Sequence, residues 1–128
     1  MIYEQTTGRL LDGPTLVGSG WAGHGPGKNN HEMQNVKGVG PLPLGKYYIQ
    51  DPIEGTHLGP IAMPLTPDAS NQMFGRSSFF IHGAEAAHPE LSSDGCIIQG
   101  HASRAYIQAK IKGSPVDSLQ RLLEVIVS

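Results

Sequence analysis

The sequence predicts a mainly β domain with one short helix, and three observations carry that expectation. Among 128 residues there are 17 glycines and 10 prolines, too many turn formers for a helical bundle. The apolar residues fall in short runs rich in Val, Ile, Tyr and Phe, divided by turn pairs such as Asp12-Gly13 and Asp51-Pro52. Only Ala102 to Lys112 combines good helix formers with an apolar pair, Ile107 and Ile111, one turn apart.

Taken in order, Met1 to Gln5 reads as a first strand and Thr6-Thr7-Gly8 as a turn. Arg9 to Leu11 reads as a second strand, closed by Asp12-Gly13, where glycine accepts left-handed backbone. Strand character resumes from Thr15 to Trp21. Trp21 either fills the core, as a large aromatic mostly does, or touches a substrate. From Trp21 to Gly45 the chain is rich in Gly, Asn and Pro without any period, which predicts a long ordered loop. Its Gly-His-Gly-Pro-Gly-Lys does not open a phosphate-binding frame, because no Gly-Lys-Ser/Thr follows.

Lys46 to Ile49 is the next strand. Asp51 to Gly59 is a loop in which His57 is expected to be exposed and inert. Ile61 to Leu65 reads as a strand demoted toward an edge by Pro64. Thr66 to Gln72 is a further loop, and Arg76 reads as a solvated surface charge or a carboxylate contact. Phe79 to Ile81 is a strand with His82 at its end. Gly83 to Asp94 is a loop, and Ile97-Ile98 a second short strand opened by Cys96. Gly113-Ser114-Pro115 stops the helix. Arg121 to Val127 reads as a closing strand, with a short helix over Pro115 to Leu123 as the rival.

Composition excludes several classes. A formal charge of -2 with scattered Lys and Arg offers no stripe for nucleic acid. The single cysteine excludes an internal disulfide and a multi-cysteine zinc site. His82, His88 and Glu85 lack the compact spacing of a metal motif, so neither a metal nor a cofactor is expected. No apolar run is long enough to span a membrane. The first residues lack the basic-then-apolar order of a secretory signal.

Cys96 and His82 stand at the ends of two strand segments joined by one loop. Such ends can bring an imidazole to a thiol, which then loses its proton and becomes a stronger nucleophile. The competing reading is an ordinary buried, inert cysteine.

His82-Gly83, then a loop, then Ser93-Asp94-Gly95-Cys96-Ile97, resembles the signature of the L,D-transpeptidase family of bacterial cell-wall enzymes. Gly23 to Asn30, Met33 to Lys37 and Val39 to Tyr47 are similar to a narrower branch, the small L,D-transpeptidase-like toxins delivered by the type VI secretion system. The resemblance spans about Thr7 to Val127. It implies a compact β-sandwich of two packed sheets with the helix after the cysteine, as one catalytic domain over residues 1–128.

It also implies a chemistry. The Cys96 thiolate attacks the diaminopimelate carbonyl of a murein tetrapeptide stem, D-alanine leaves, and a thioester forms. A second amine, a free D-amino acid or water resolves it, giving transpeptidation, exchange or carboxypeptidase action. His82 is the base, the Gly83 carbonyl orients it, and the amides of Gly95 and Cys96 bind the oxyanion. Ser93, Asp94, Arg104, His24 and Asn30 are the expected substrate contacts. Two have a plainer alternative: Asn30 caps a turn, and Arg104 faces solvent on the helix. This chain departs from the family pattern at Asp94, where a histidine is usual, and at Ile98, where an arginine is common. Asp94 opposes thiolate formation if it lies close, and Arg104 is the candidate to replace the missing arginine.

The expected partners are murein stems, a secretion apparatus and a cognate immunity protein, with the protein itself a monomer. It would be made in the cytoplasm and act in the periplasm of a target cell. The rival functions are a cysteine amidase or endopeptidase on peptidoglycan, and a wall-binding module without catalysis.

Overall fold

A computed structural model describes residues 1–127. Nine strands and one α-helix form a mainly β architecture. The strands are β1 (Ile2–Glu4), β2 (Arg9–Asp12), β3 (Thr15–Ser19), β4 (Trp21–Ala22), β5 (Gly45–Ile49), β6 (Met63–Pro67), β7 (Phe80–His82), β8 (Ile97–Ile98) and β9 (Leu122–Ile126), and α1 spans His101–Ile111. They pair in the order β3-β2-β1-β9-β5-β6-β7-β8-β4. The two expected sheets are continuous, because β6 belongs to both: Leu65 to Pro67 pair with β5, and Met63 and Pro64 pair with β7.

That position differs from the edge expected for a proline-bearing strand. Leu65 donates its amide to Phe79, whereas the Pro64 carbonyl turns the other way and accepts from Gln50 at 2.8 Å. The Pro64 nitrogen faces that same side, opposite Gln50 just past the end of β5. The missing N–H therefore forgoes only the reciprocal bond to Gln50 at the strand end, and an interior strand tolerates it.

The two ends of the strand order meet. β3 and β4 are its outermost members, yet only Gly20 separates them in the chain. Gly20 donates its amide to the Gly8 carbonyl at 2.9 Å. A Cβ on Gly20 would lie 1.7 Å from the Ile98 carbonyl oxygen, so only glycine lets these backbones touch. The sheet is thus nearly closed.

Alternation fills the interior. Tyr47 and Ile49 of β5 and Leu123 and Val125 of β9 point inward at a two-residue period, joined by Tyr3, Leu10, Met63, Ile81 and Ile97. Burying side chains of this size contributes about 1.5–3 kcal/mol each. Helix α1 covers one side with Ser103, Ile107 and Ile111, a stripe spaced by four. The Ser103 hydroxyl donates to the Val17 carbonyl at 3.2 Å. Outside the stripe, Lys110 and Tyr106 both bond Asp12 of β2, and these bonds hold the Asp12 carboxyl below its usual range. The helix starts at His101, one residue before the expected Ala102. Pro115 to Leu123 contains only a short turn over Leu119–Arg121. No helix of the described residues is long and apolar enough to cross a membrane.

Candidate active site

Strands β7 and β8 run parallel, with Ile81 opposite Ile97 and His82 opposite Ile98. Extending that register by one residue puts Cys96 opposite Phe80. Side chains alternate between faces, so Ile81 and Ile97 enter the core while Phe80, His82 and Cys96 share the other face. With strands ~4.8 Å apart and ~3.3 Å of rise per residue, the Cα atoms of His82 and Cys96 lie about 8 Å apart, within side-chain reach of one another. Both residues line one open cleft of about 820 Å³.

His82 is buried, and its Nδ1 donates to the Gly83 carbonyl at 2.8 Å. A carbonyl only accepts, so the proton sits on Nδ1 and Nε2 keeps its lone pair. Burial holds the imidazole below its ordinary pKa; the Gly83 bond opposes this, and the charge of Arg104 adds to it. Burial likewise pushes the Cys96 thiol up to about 11, while the amide of Phe80 favours the anion, Asp94 disfavours it and Arg76 favours it. Burial thus favours the neutral form of both groups at rest, a thiol beside an imidazole.

The turn before Cys96 is held by several segments at once. Ser93 is fully buried. Its hydroxyl accepts from the amides of Gly23 at 2.8 Å and Gly95 at 3.1 Å, and donates to the Cys96 carbonyl at 2.6 Å. Ser93 thus organises the turn from inside and does not line the cleft. It also engages the Gly95 amide, one of the two expected to bind an oxyanion. Gly95 itself has φ +134°, and a Cβ there would lie 2.5 Å from an Arg76 nitrogen and 2.7 Å from the Phe79 ring. No other residue fits that backbone and that space.

The remaining expected contacts are distributed differently. Asp94 is exposed and lines the cleft. His24 does not line it: Nδ1 donates to the Ser93 carbonyl at 2.8 Å and lies 3.7 Å from the Asp94 carboxylate. The imidazole that the family pattern would place at position 94 is thus approached from another segment. Asn30 also stands outside the cleft and caps a turn, its oxygen accepting from Glu32 at 3.1 Å. Arg104 is buried rather than solvent-facing. It donates from Nε to the Gln99 carbonyl at 3.0 Å and from Nη1 to the Pro60 carbonyl. Its other nitrogen packs beneath Gly83, where a Cβ would approach it to 2.7 Å. Arg104 braces the His82–Gly83 end from behind and is not part of the cleft wall.

Two residues gain roles that the sequence did not suggest. His57 lines the cleft with Leu58 and Gly59 and lies near enough for its charge to act on His82. Arg76, read as a surface charge, is only 5% exposed and donates to four carbonyls: Gln34, Pro41, Gly40 and Asp94, at 2.6, 2.7, 2.9 and 3.1 Å. Trp21 is half-buried in β4, outside the cleft, with the Lys28 ammonium 5.0 Å from its ring centroid. Among the described residues no group of His, Cys, Asp and Glu could hold a metal ion.

No curated protein and no solved structure matches the chain. A family model does: the Tlde1 domain matches residues 17–114, a span that includes His82, the Ser93–Cys96 turn and the whole long loop. The chain accordingly belongs to the Tlde1 domain family, L,D-transpeptidase effectors of type VI secretion with peptidoglycan-related activity.

Proposed function

We infer that the protein is a cysteine enzyme that removes or exchanges the terminal D-alanine of murein tetrapeptide stems. The observation that carries this reading is the 2.8 Å bond from His82 Nδ1 to the Gly83 carbonyl. It leaves Nε2 basic, on the same sheet face as Cys96.

In the first half-reaction, Nε2 takes the Cys96 proton as Sγ bonds to the diaminopimelate carbonyl carbon. The carbonyl oxygen gains charge opposite the Cys96 amide. Collapse breaks the C–N bond to D-alanine, whose nitrogen receives the proton from His82, and a thioester remains. In the second half, His82 takes a proton from an incoming D-amino acid, a second stem's amine or water. That nucleophile displaces Sγ, and the proton returns to sulfur.

The cleft wall holds two carboxylates, Glu85 and Asp94, and no lysine or arginine. Within this reading His57 is the side chain able to offer an N–H or a positive charge to the stem carboxylate. Arg104 supports the base instead. The family supports delivery by a secretion machine, and on this reading the effector acts in the target cell's periplasm and is countered by a cognate immunity protein in the producer. Residues 1–128 then serve as one catalytic domain.

Mass spectrometry of purified muropeptides after incubation tests this reading. Tetrapeptides that lose D-alanine, or carry another D-amino acid in its place, support it. Intact tetrapeptides beside free stem peptides would point to an amidase, and unchanged muropeptides to a binding module.

A further inference from the structure

We propose that Arg76 is the positioning residue of the cysteine site: it fixes the turn before Cys96 from beneath and supplies the fixed positive charge against which the thiolate forms. The proposal deepens the reading of Cys96 as a nucleophile and rests on it.

Three observations meet at this residue. First, the guanidinium is buried yet has no carboxylate partner among the described residues. A buried arginine is ordinarily paired with an acid. Here every recorded acceptor is a main-chain carbonyl, so the positive charge is solvated but not neutralised. Second, those carbonyls join distant segments. Gln34, Gly40 and Pro41 belong to the long loop, and Asp94 belongs to the cysteine turn. The planar fork reaches all four at once, which an ammonium on a flexible stem does not. The Leu42 amide completes the seam by donating to the Gly95 carbonyl at 3.0 Å. Third, the guanidinium lies directly under Gly95, and the Phe79 ring packs on it with its centroid 5.1 Å away. The charge is therefore held one residue from the nucleophile.

Few groups can answer that charge. Asp94 points its carboxylate to solvent. The groups whose charge acts on Arg76 are Tyr47 and Cys96, and burial keeps the Tyr47 phenol neutral. Cys96 is thus the group that becomes its counter-ion, and only while the thiolate exists. The other titratable groups around the sulfur are Asp94, which opposes the anion, and His82, His57 and Glu85, which line the cleft.

The test is the pH dependence of Cys96 alkylation by iodoacetamide, measured beside muropeptide turnover. Alkylation needs no cell-wall substrate, so a wrong substrate assignment leaves this readout intact. Arg76→Gln is expected to raise the alkylation midpoint, by about a few tenths of a pH unit or more. Arg76→Lys keeps the charge but loses the fork. Its midpoint is expected to stay near wild type while turnover falls about tenfold or more. A folded Arg76→Gln protein with wild-type midpoint and turnover overturns the proposal. Should neither variant fold, His82→Ala decides. With that imidazole gone, a positive charge fixed under the sulfur should make anionic iodoacetate react faster, relative to neutral iodoacetamide, in the folded protein than in the same protein unfolded. A folded-state ratio no higher than the unfolded one overturns the proposal.

Discussion

His82 gives its Nδ1 proton to the carbonyl of the residue that follows it, Gly83, at 2.8 Å. The group that orients the His82 imidazole is thus main chain, and no side-chain replacement at position 83 removes the acceptor. What replacement changes is the space behind it, where Arg104 packs. On the proposed reading the pair is therefore protected against loss of its orienting group and exposed to disturbance of its support.

Loss of either member of the dyad has a different size. Cys96→Ala is expected to abolish D-alanine release from tetrapeptides, because no thioester can form. His82→Ala is expected to lower the rate by about 100- to 10,000-fold, the usual contribution of a positioned base. Both proteins should keep the wild-type circular-dichroism spectrum. Wild-type turnover by Cys96→Ala would sink the mechanism.

The pH profile should be broad. The active form needs neutral His82 and protonated Cys96. Burial disfavours imidazolium, so the acid limb of kcat/KM is expected below the ordinary imidazole value of about 6.5. The alkaline limb follows the thiol, near about 11. A preformed thiolate–imidazolium pair would invert this order. It would give a thiol that alkylates fully at neutral pH.

Substitution of Gly95 tests the turn. Gly95→Ala puts a Cβ against Arg76 and Phe79 and forces a non-glycine residue to φ +134°. The expected cost is about 1–3 kcal/mol or more from backbone strain alone. Thermal melting should show it, together with a loss of turnover larger than the loss of folded protein.

Arg121 and Asp51 make an asymmetric pair. Arg121 is buried and donates to the carbonyls of Ile49 and Ser114 as well as to the Asp51 carboxylate, whereas Asp51 is mostly exposed. Arg121→Ala leaves two carbonyls short of a donor and is expected to cost about 2–4 kcal/mol. Asp51→Ala removes only a solvent-screened contact, worth about 1 kcal/mol or less. Urea unfolding of the two variants compares them; equal losses would contradict this account.

Local signals carried much of the molecule. His82 and Cys96 were legible because His82 ends one short apolar run and Cys96 opens another, Ile97-Ile98, which forms β8. The strands of β5 and β9 and the helix were legible from period and stop signals, within a residue or two at their ends. Arg76 and Arg104 were not. Their acceptors are backbone carbonyls, which every residue has, brought near by a topology that no short window reveals. Asn30 illustrates the converse: its plain reading as a turn cap describes its hydrogen bond. His57 is exposed, as expected, but its place in the cleft depends on how the loop before β6 folds back, and nothing in its neighbours' periodicity encodes that. The interior position of β6 was hidden because a proline penalises a strand only on the side its nitrogen faces.

The closure at Gly20 bears on how the protein comes apart. A strand as short as β8, standing second from one end of an open sheet, would ordinarily fray and expose its amides long before the rest of the molecule opened. Here the outer neighbour of β8 is the direct continuation of β3, so the last strand cannot detach without pulling on the first. Solvent deuterium should therefore reach the amides of Ile97 and Ile98 only when the whole protein opens, as slowly as it reaches those of β5 at the centre.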